Sequence, residues 1–114
     1  MPTISFLEAF ADAWNRHDLD AIMAHMAEDG VFVSSNGTKA EGAVQVRETF
    51  RSVLDSFPDV SFDSASHFVS GDRGVSEWTF SGTDAEDGSI VDVRGCDIFT
   101  FGDGKIVLKD TYLK

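Results

Sequence analysis

The chain has 114 residues, a formal net charge of −11 at pH 7, 42% hydrophobic residues and ten phenylalanines. That length supports one domain, residues 1–114, and that hydrophobic content excludes a disordered chain. The negative charge argues against nucleic acid and anionic membrane as partners, since neither a phosphate backbone nor acidic lipid attracts it. The single cysteine, Cys96, excludes an internal disulfide, and with no CxxC or Cys/His cluster neither a metal nor another cofactor is expected. The start Met1-Pro2-Thr3-Ile4-Ser5 lacks the basic and apolar regions of a signal peptide, and no apolar run reaches membrane-spanning length. The cytoplasm is therefore the default location.

In chain order, Ser5 and Glu8 form a capping-box pattern that opens a first helix. Phe6, Phe10, Trp14 and His17, with Ala9 and Ala13, make one broad stripe along it. His17, where that helix ends, is expected to meet its carbonyl end. Asp18 caps a second helix with Leu19, Ile22, Met23 and Met26 on its apolar face and His25 toward solvent. Glu28-Asp29-Gly30 breaks it, Val31 to Ser34 reads as a short strand, and Asn36-Gly37 is a hairpin turn signal. Gly42 opens a third helix that runs to about Phe57, where Pro58 stops it.

From Asp59 onward the pattern is strands: Val60 to Ser70, Val75 to Thr83, Ser89 to Phe101 and Lys105 to Leu113, separated by turn-forming segments. Helices followed by a strand meander predict an α+β domain, with about three N-terminal helices packed on one face of a curved antiparallel sheet. The last hairpin sets which residues share a face. A two-residue Asp103-Gly104 turn places Asp97 opposite Asp110, which is repulsive. A three-residue Gly102-Asp103-Gly104 loop places Asp97 opposite Lys109 and Gly95 opposite Thr111, and is the preferred register. Ile98, Ile106, Leu108 and Tyr112 then line the opposite face, which calls for a cover such as a second subunit. Arg94 reads as a sheet-surface partner for Asp92 or Asp110, and Cys96 as a small buried hydrophobe on the face away from Asp97.

Ala13-Trp14-Asn15-Arg16-His17-Asp18-Leu19-Asp20-Ala21-Ile22 resembles the opening of SnoaL-like proteins of the nuclear transport factor 2-like superfamily. So do Gly42 and its helix, Glu77-Trp78-Thr79, Gly82-Thr83, Asp97-Ile98-Phe99-Thr100-Phe101 and Gly104-Lys105-Ile106. The resemblance covers nearly the whole chain and implies a cone-shaped, cystatin-like fold, a deep pocket between helices and sheet, and a homodimer through the sheet face. Within the superfamily, the ketosteroid isomerases have an aspartic acid that donates to the substrate oxyanion, and Asp97 matches it. Their tyrosine falls at Phe10 and their general base at Ser34, so that residue set is incomplete. The Asp-Arg-Asp set of the epoxide hydrolases falls at Trp78, Phe80 and Thr111, none of which activates water. The histidine that follows Gly-Thr in the polyketide cyclases is Asp84 here, and Asp110 points to the other face.

Counting faces, the pocket wall comprises Phe10, Trp14, Phe32, Ser34, Phe50, Trp78, Phe80 and Thr111, with Asp97 and Lys109 as its polar pair. An apolar cavity with a few convergent polar groups suits a small molecule. Asp97 and Lys109 are the candidate catalytic residues: Lys109 to stabilise negative charge or form a Schiff base, Asp97 to orient it or transfer a proton. The same pair also reads as an ion pair that only satisfies itself. His67, mid-strand near Phe62 and Val69, reads as structural and is the only spare base. The expected function is to bind, and if catalytic to transform by isomerase-, cyclase- or lyase-like acid–base chemistry, a small apolar carbonyl or hydroxyl metabolite. The alternative is a non-catalytic carrier or an association domain.

Overall fold

The computed structural model describes residues 2–114. Thr3, not Ser5, caps the first helix: its hydroxyl accepts from the Phe6 amide at 3.3 Å, and α1 runs Ile4–Asn15. Starting there brings Leu7 onto the buried stripe with Phe10, Ala13 and Trp14, while Ala9 is exposed. His17 turns the chain with a positive φ of 57°; its ring bonds through Nε2 to the Val60 carbonyl at 2.7 Å, and only its backbone amide, donating to the Trp14 carbonyl at 3.0 Å, meets the end of α1. Asp18 caps α2 as expected, accepting from the Ala21 amide at 3.1 Å, but α2 is only Leu19–Met23. His25 is half-buried rather than solvent-facing, its ring lying 4.8 Å from that of Phe6 and 5.5 Å from that of Phe10.

Met26 belongs to the first strand, β1 (Met26–Val33), which passes straight through Glu28-Asp29-Gly30. Pairing is irregular there, so the charged side chains leave the ladder without ending the strand. After the Asn36-Gly37 turn, a short edge strand β2 (Lys39–Glu41) pairs with β1. Gly42, at φ 85°, then opens α3 (Ala43–Ser56), which buries Val46 and Phe50. The strands β3 (Ser61–Ser70), β4 (Arg73–Thr83), β5 (Ile90–Gly102) and β6 (Lys105–Leu113) form an antiparallel meander. The sheet order is β2-β1-β6-β5-β4-β3, and β1 runs parallel to β6, so the sheet is mixed. The core lies between its inner face and the helices, around Leu7, Phe10, Trp14, Phe50, Phe99 and Ile106.

The last hairpin differs from both registers considered. The turn is the two-residue Asp103-Gly104, with φ of 50° and 77°, and Gly102 pairs with Lys105. A bulge follows: Phe101 pairs with Ile106 and Thr100 with Leu108, leaving Val107 between them. Ile106 and Lys109 are three apart, and only an extra residue lets both point inward. Ile106 is consequently fully buried, not on the outer face. Asp97 lies opposite Thr111, Lys109 opposite Phe99, and Gly95 opposite Leu113. On the outer face Arg94 donates to the Thr79 hydroxyl at 2.9 Å instead of pairing with Asp92 or Asp110.

Gly95 matters to the site because it is the cross-strand partner of Trp78. A Cβ there would come within 2.7 Å of the Trp78 ring and 2.6 Å of the Tyr112 carbonyl. Gly95→Ala is expected to lose about 1–3 kcal/mol through overpacking, read from urea denaturation. A variant as stable as the parent would show that the indole does not rest on that glycine.

Candidate functional site

Alternation along β4, β5 and β6 carries Trp78, Asp97, Lys109 and Thr111 to the inner face. Asp97 Oδ1 accepts from Lys109 Nζ at 3.0 Å and from the Thr111 hydroxyl at 2.5 Å, while Oδ2 accepts from Trp78 Nε1 at 3.0 Å. Both charged side chains are 7% exposed. A buried pair survives in such surroundings only when its remaining polar valences are met, and here Asp97 is supplied with donors on both oxygens. Lys109 also bonds to Thr111 Oγ1 at 3.0 Å, and its ammonium lies 4.6 Å from the centre of the Phe32 ring and 5.6 Å from that of Phe50. Aromatic faces supply part of the electrostatic support that water would otherwise give.

A cavity of about 320 Å³ opens beside this cluster. Of the residues expected on its wall, Trp14, Phe32, Ser34, Phe50, Trp78, Phe80, Lys109 and Thr111 are there. Phe10 and Asp97 are not; they lie behind it, on a separate void of about 20 Å³. The wall residues that the face count missed include Phe62, Val53, Phe57, Val91, Val93 and Leu113. Phe62 was legible in principle, because it pairs with Phe80 and so shares its face. Val91 and Val93 alternate with exposed Asp92 and Arg94 on the stretch of β5 before Gly95, a pattern visible in the sequence.

The other polar candidates are engaged elsewhere. The Ser34 hydroxyl donates to the Asn36 side-chain carbonyl, so the position of the isomerase general base is occupied by a committed hydroxyl. Asp110 accepts from Tyr112 on the outer face at 3.0 Å. Cys96 is half-buried, and burial together with the nearby charge of Asp97 pushes its thiol pKa up, away from the reactive thiolate. His67 Nδ1 is 2.7 Å from the hydroxyl of Ser76, a buried residue that the sequence analysis did not single out. Burial pushes the His67 pKa down, opposed by the negative charge of Glu8.

Helices packed over a mixed six-stranded sheet, with an aromatic cavity between them and a buried ion pair beside it, make an α+β cone, a fold similar to that of nuclear transport factor 2-like proteins. The chain belongs to the SnoaL-like domain family, whose model matches residues 7–109. Its fold is similar to that of a candidate polyketide cyclase from Pseudomonas putida KT2440, with a TM-score of 0.90 at 19% identity over 100% of this chain and 92% of that one. A candidate polyketide cyclase from Xanthomonas campestris pv. campestris gives 0.86 at 23% identity over 96% and 88%. A SnoaL-like protein of unknown function from Burkholderia thailandensis E264 gives 0.81 at 24% identity over 100% and 99%. At these identities the likeness is one of fold. No curated protein matches the chain. Among the described residues no helix is long and apolar enough to cross a membrane.

Proposed function

We propose that the protein binds a small, largely apolar molecule through a carbonyl or hydroxyl oxygen, with Lys109 as the donor to that oxygen. The observation that carries this reading is a buried ammonium on the wall of an aromatic cavity of about 320 Å³, a volume that suits a small organic ligand. Two of its three N–H groups go to Asp97 and Thr111, which leaves one for a ligand. Asp97 fixes Lys109, and its own oxygens already accept from three donors. Such a lysine stabilises the oxyanion that forms when a proton leaves the carbon next to a carbonyl. That is the kind of step a cyclase or isomerase needs, and the polyketide cyclase descriptions of the fold relatives agree with it in class.

A second reading has its own support. Asp97 is committed to three donors and Ser34 to Asn36, so the cavity offers no free base, as befits a carrier without turnover. The outer sheet face, with Phe68 and Tyr112 exposed, suits a homodimer in either case. A thermal-shift screen of small aromatic and alicyclic ketones and phenols, with shape-matched hydrocarbons, tests binding. A rise in melting temperature with the oxygen-bearing compounds, lost in Lys109→Met, is the expected result. No rise with any of them contradicts a ligand site.

A further inference from the structure

Sheet register aligns four polar residues in one row across the inner face. His67 on β3 pairs with Ser76 on β4, Ser76 with Asp97 on β5, and Asp97 with Thr111 on β6. The row is hydrogen-bonded at both ends, at 2.7 Å between His67 and Ser76 and at 2.5 Å between Thr111 and Asp97. Its middle link, Ser76 to Asp97, is bordered by the void of about 20 Å³, which both residues line. One water needs about 10–15 Å³ and two to four polar partners. The void also borders Lys109 and Trp14, and Trp14 Nε1 is a buried donor with no acceptor from the described residues. Leaving such a group unmet costs about 1–3 kcal/mol; the rest of the wall, from Leu7, Phe10, Phe62 and Phe99, is apolar, so a polar occupant has its partners on the side of Ser76, Asp97, Lys109 and Trp14.

We propose that this void holds one structural water linking Ser76 to Asp97, so that His67, Ser76 and the water form a hydrogen-bonded path between the edge strand and the buried carboxylate. His67 is half-buried on β3, at the edge of the sheet, whereas Asp97 is shut in. The groups acting on His67 are Ser76 from β4 and the negative charge of Glu8 from α1. When His67 takes up a proton, its Nδ1–H donates to the Ser76 oxygen, Ser76 turns its hydroxyl toward the water, and the water turns an O–H toward Asp97, which keeps its charge and its three donors. Neither a ligand nor turnover is required, so the path and the binding proposal are tested separately.

The test uses ligand-free protein and two readouts. In a high-resolution crystal structure, one ordered water is expected within about 3.2 Å of both Ser76 Oγ and an Asp97 oxygen. In an NMR titration, the Trp78 indole N–H, which donates to Asp97, is expected to shift with the pH at which His67 titrates. Ser76→Ala should abolish that inflection while His67 still titrates. A void without the water, a Trp78 signal that ignores His67, or an inflection that survives Ser76→Ala would each overturn the path. If Ser76→Ala does not fold, the unaltered protein decides through the first two observations.

Discussion

Asp97→Leu is expected to destabilise the protein by about 3–5 kcal/mol, because it leaves the Lys109 ammonium buried without its counter-charge. The lysine would keep only Thr111 and its aromatic neighbours, while Trp78 would lose the acceptor for its indole. Adding Lys109→Met should restore most of the loss, since replacing a whole buried pair with apolar groups of similar volume is often neutral or stabilising. Urea denaturation of the two single variants and the double variant measures this directly. If Asp97→Leu costs less than about 1 kcal/mol, the typical worth of an exposed pair, then Lys109 reaches solvent and the site is not closed.

Phe50→Ala is the second large effect, again about 3–5 kcal/mol from lost burial and cavity formation. Phe50 is 1% exposed, and its ring lies edge-on to Trp14 at 5.0 Å and to Phe32 at 5.1 Å. Because it also lines the aromatic cavity, its removal enlarges that space rather than leaving a sealed hole. The variant should therefore unfold at lower urea yet accept bulkier ligands than the parent. Unchanged stability would mean that α3 settles onto the sheet and closes the gap.

Much of this architecture is written locally in the chain. The apolar spacing of α3, the stop at Pro58 and the turns between the last four strands need no distant partner to be read. The inner-face alternation that puts Trp78, Asp97 and Thr111 on one face of the sheet is equally local. What was not legible depends on partners far away in sequence. Glu28-Asp29-Gly30 has the composition of a break, yet β1 continues through it because β6 lies alongside, Met26 pairing with Ile106. Thr3 and Ser5 are both competent caps, and burial of Leu7 accompanies the earlier start.

The bulge at Val107 is the most instructive case. Neither simple hairpin register makes Ile106 and Lys109 face the same way, so the register preferred for pairing Asp97 with Lys109 turns Ile106 outward. Asp97 and Lys109 still meet, but diagonally, with Thr111 directly opposite the carboxylate and bonded to both. The pair is legible from its chemistry even through an incorrect register. Ser76 escaped notice for a simpler reason: a lone serine in a strand carries no signal until His67 and Asp97 are placed on either side of it.

The most direct measurement is calorimetric titration of an apolar ketone and a hydrocarbon of the same shape into the parent protein and Lys109→Met. The buried lysine on the cavity wall predicts that the parent prefers the ketone by about tenfold or more, since a hydrogen bond to a charged group is worth about 1.5–3 kcal/mol and each 1.4 kcal/mol is about tenfold. Lys109→Met should bind both compounds alike. Equal affinity of the parent for ketone and hydrocarbon would contradict the account, leaving Lys109 and Asp97 as a structural pair.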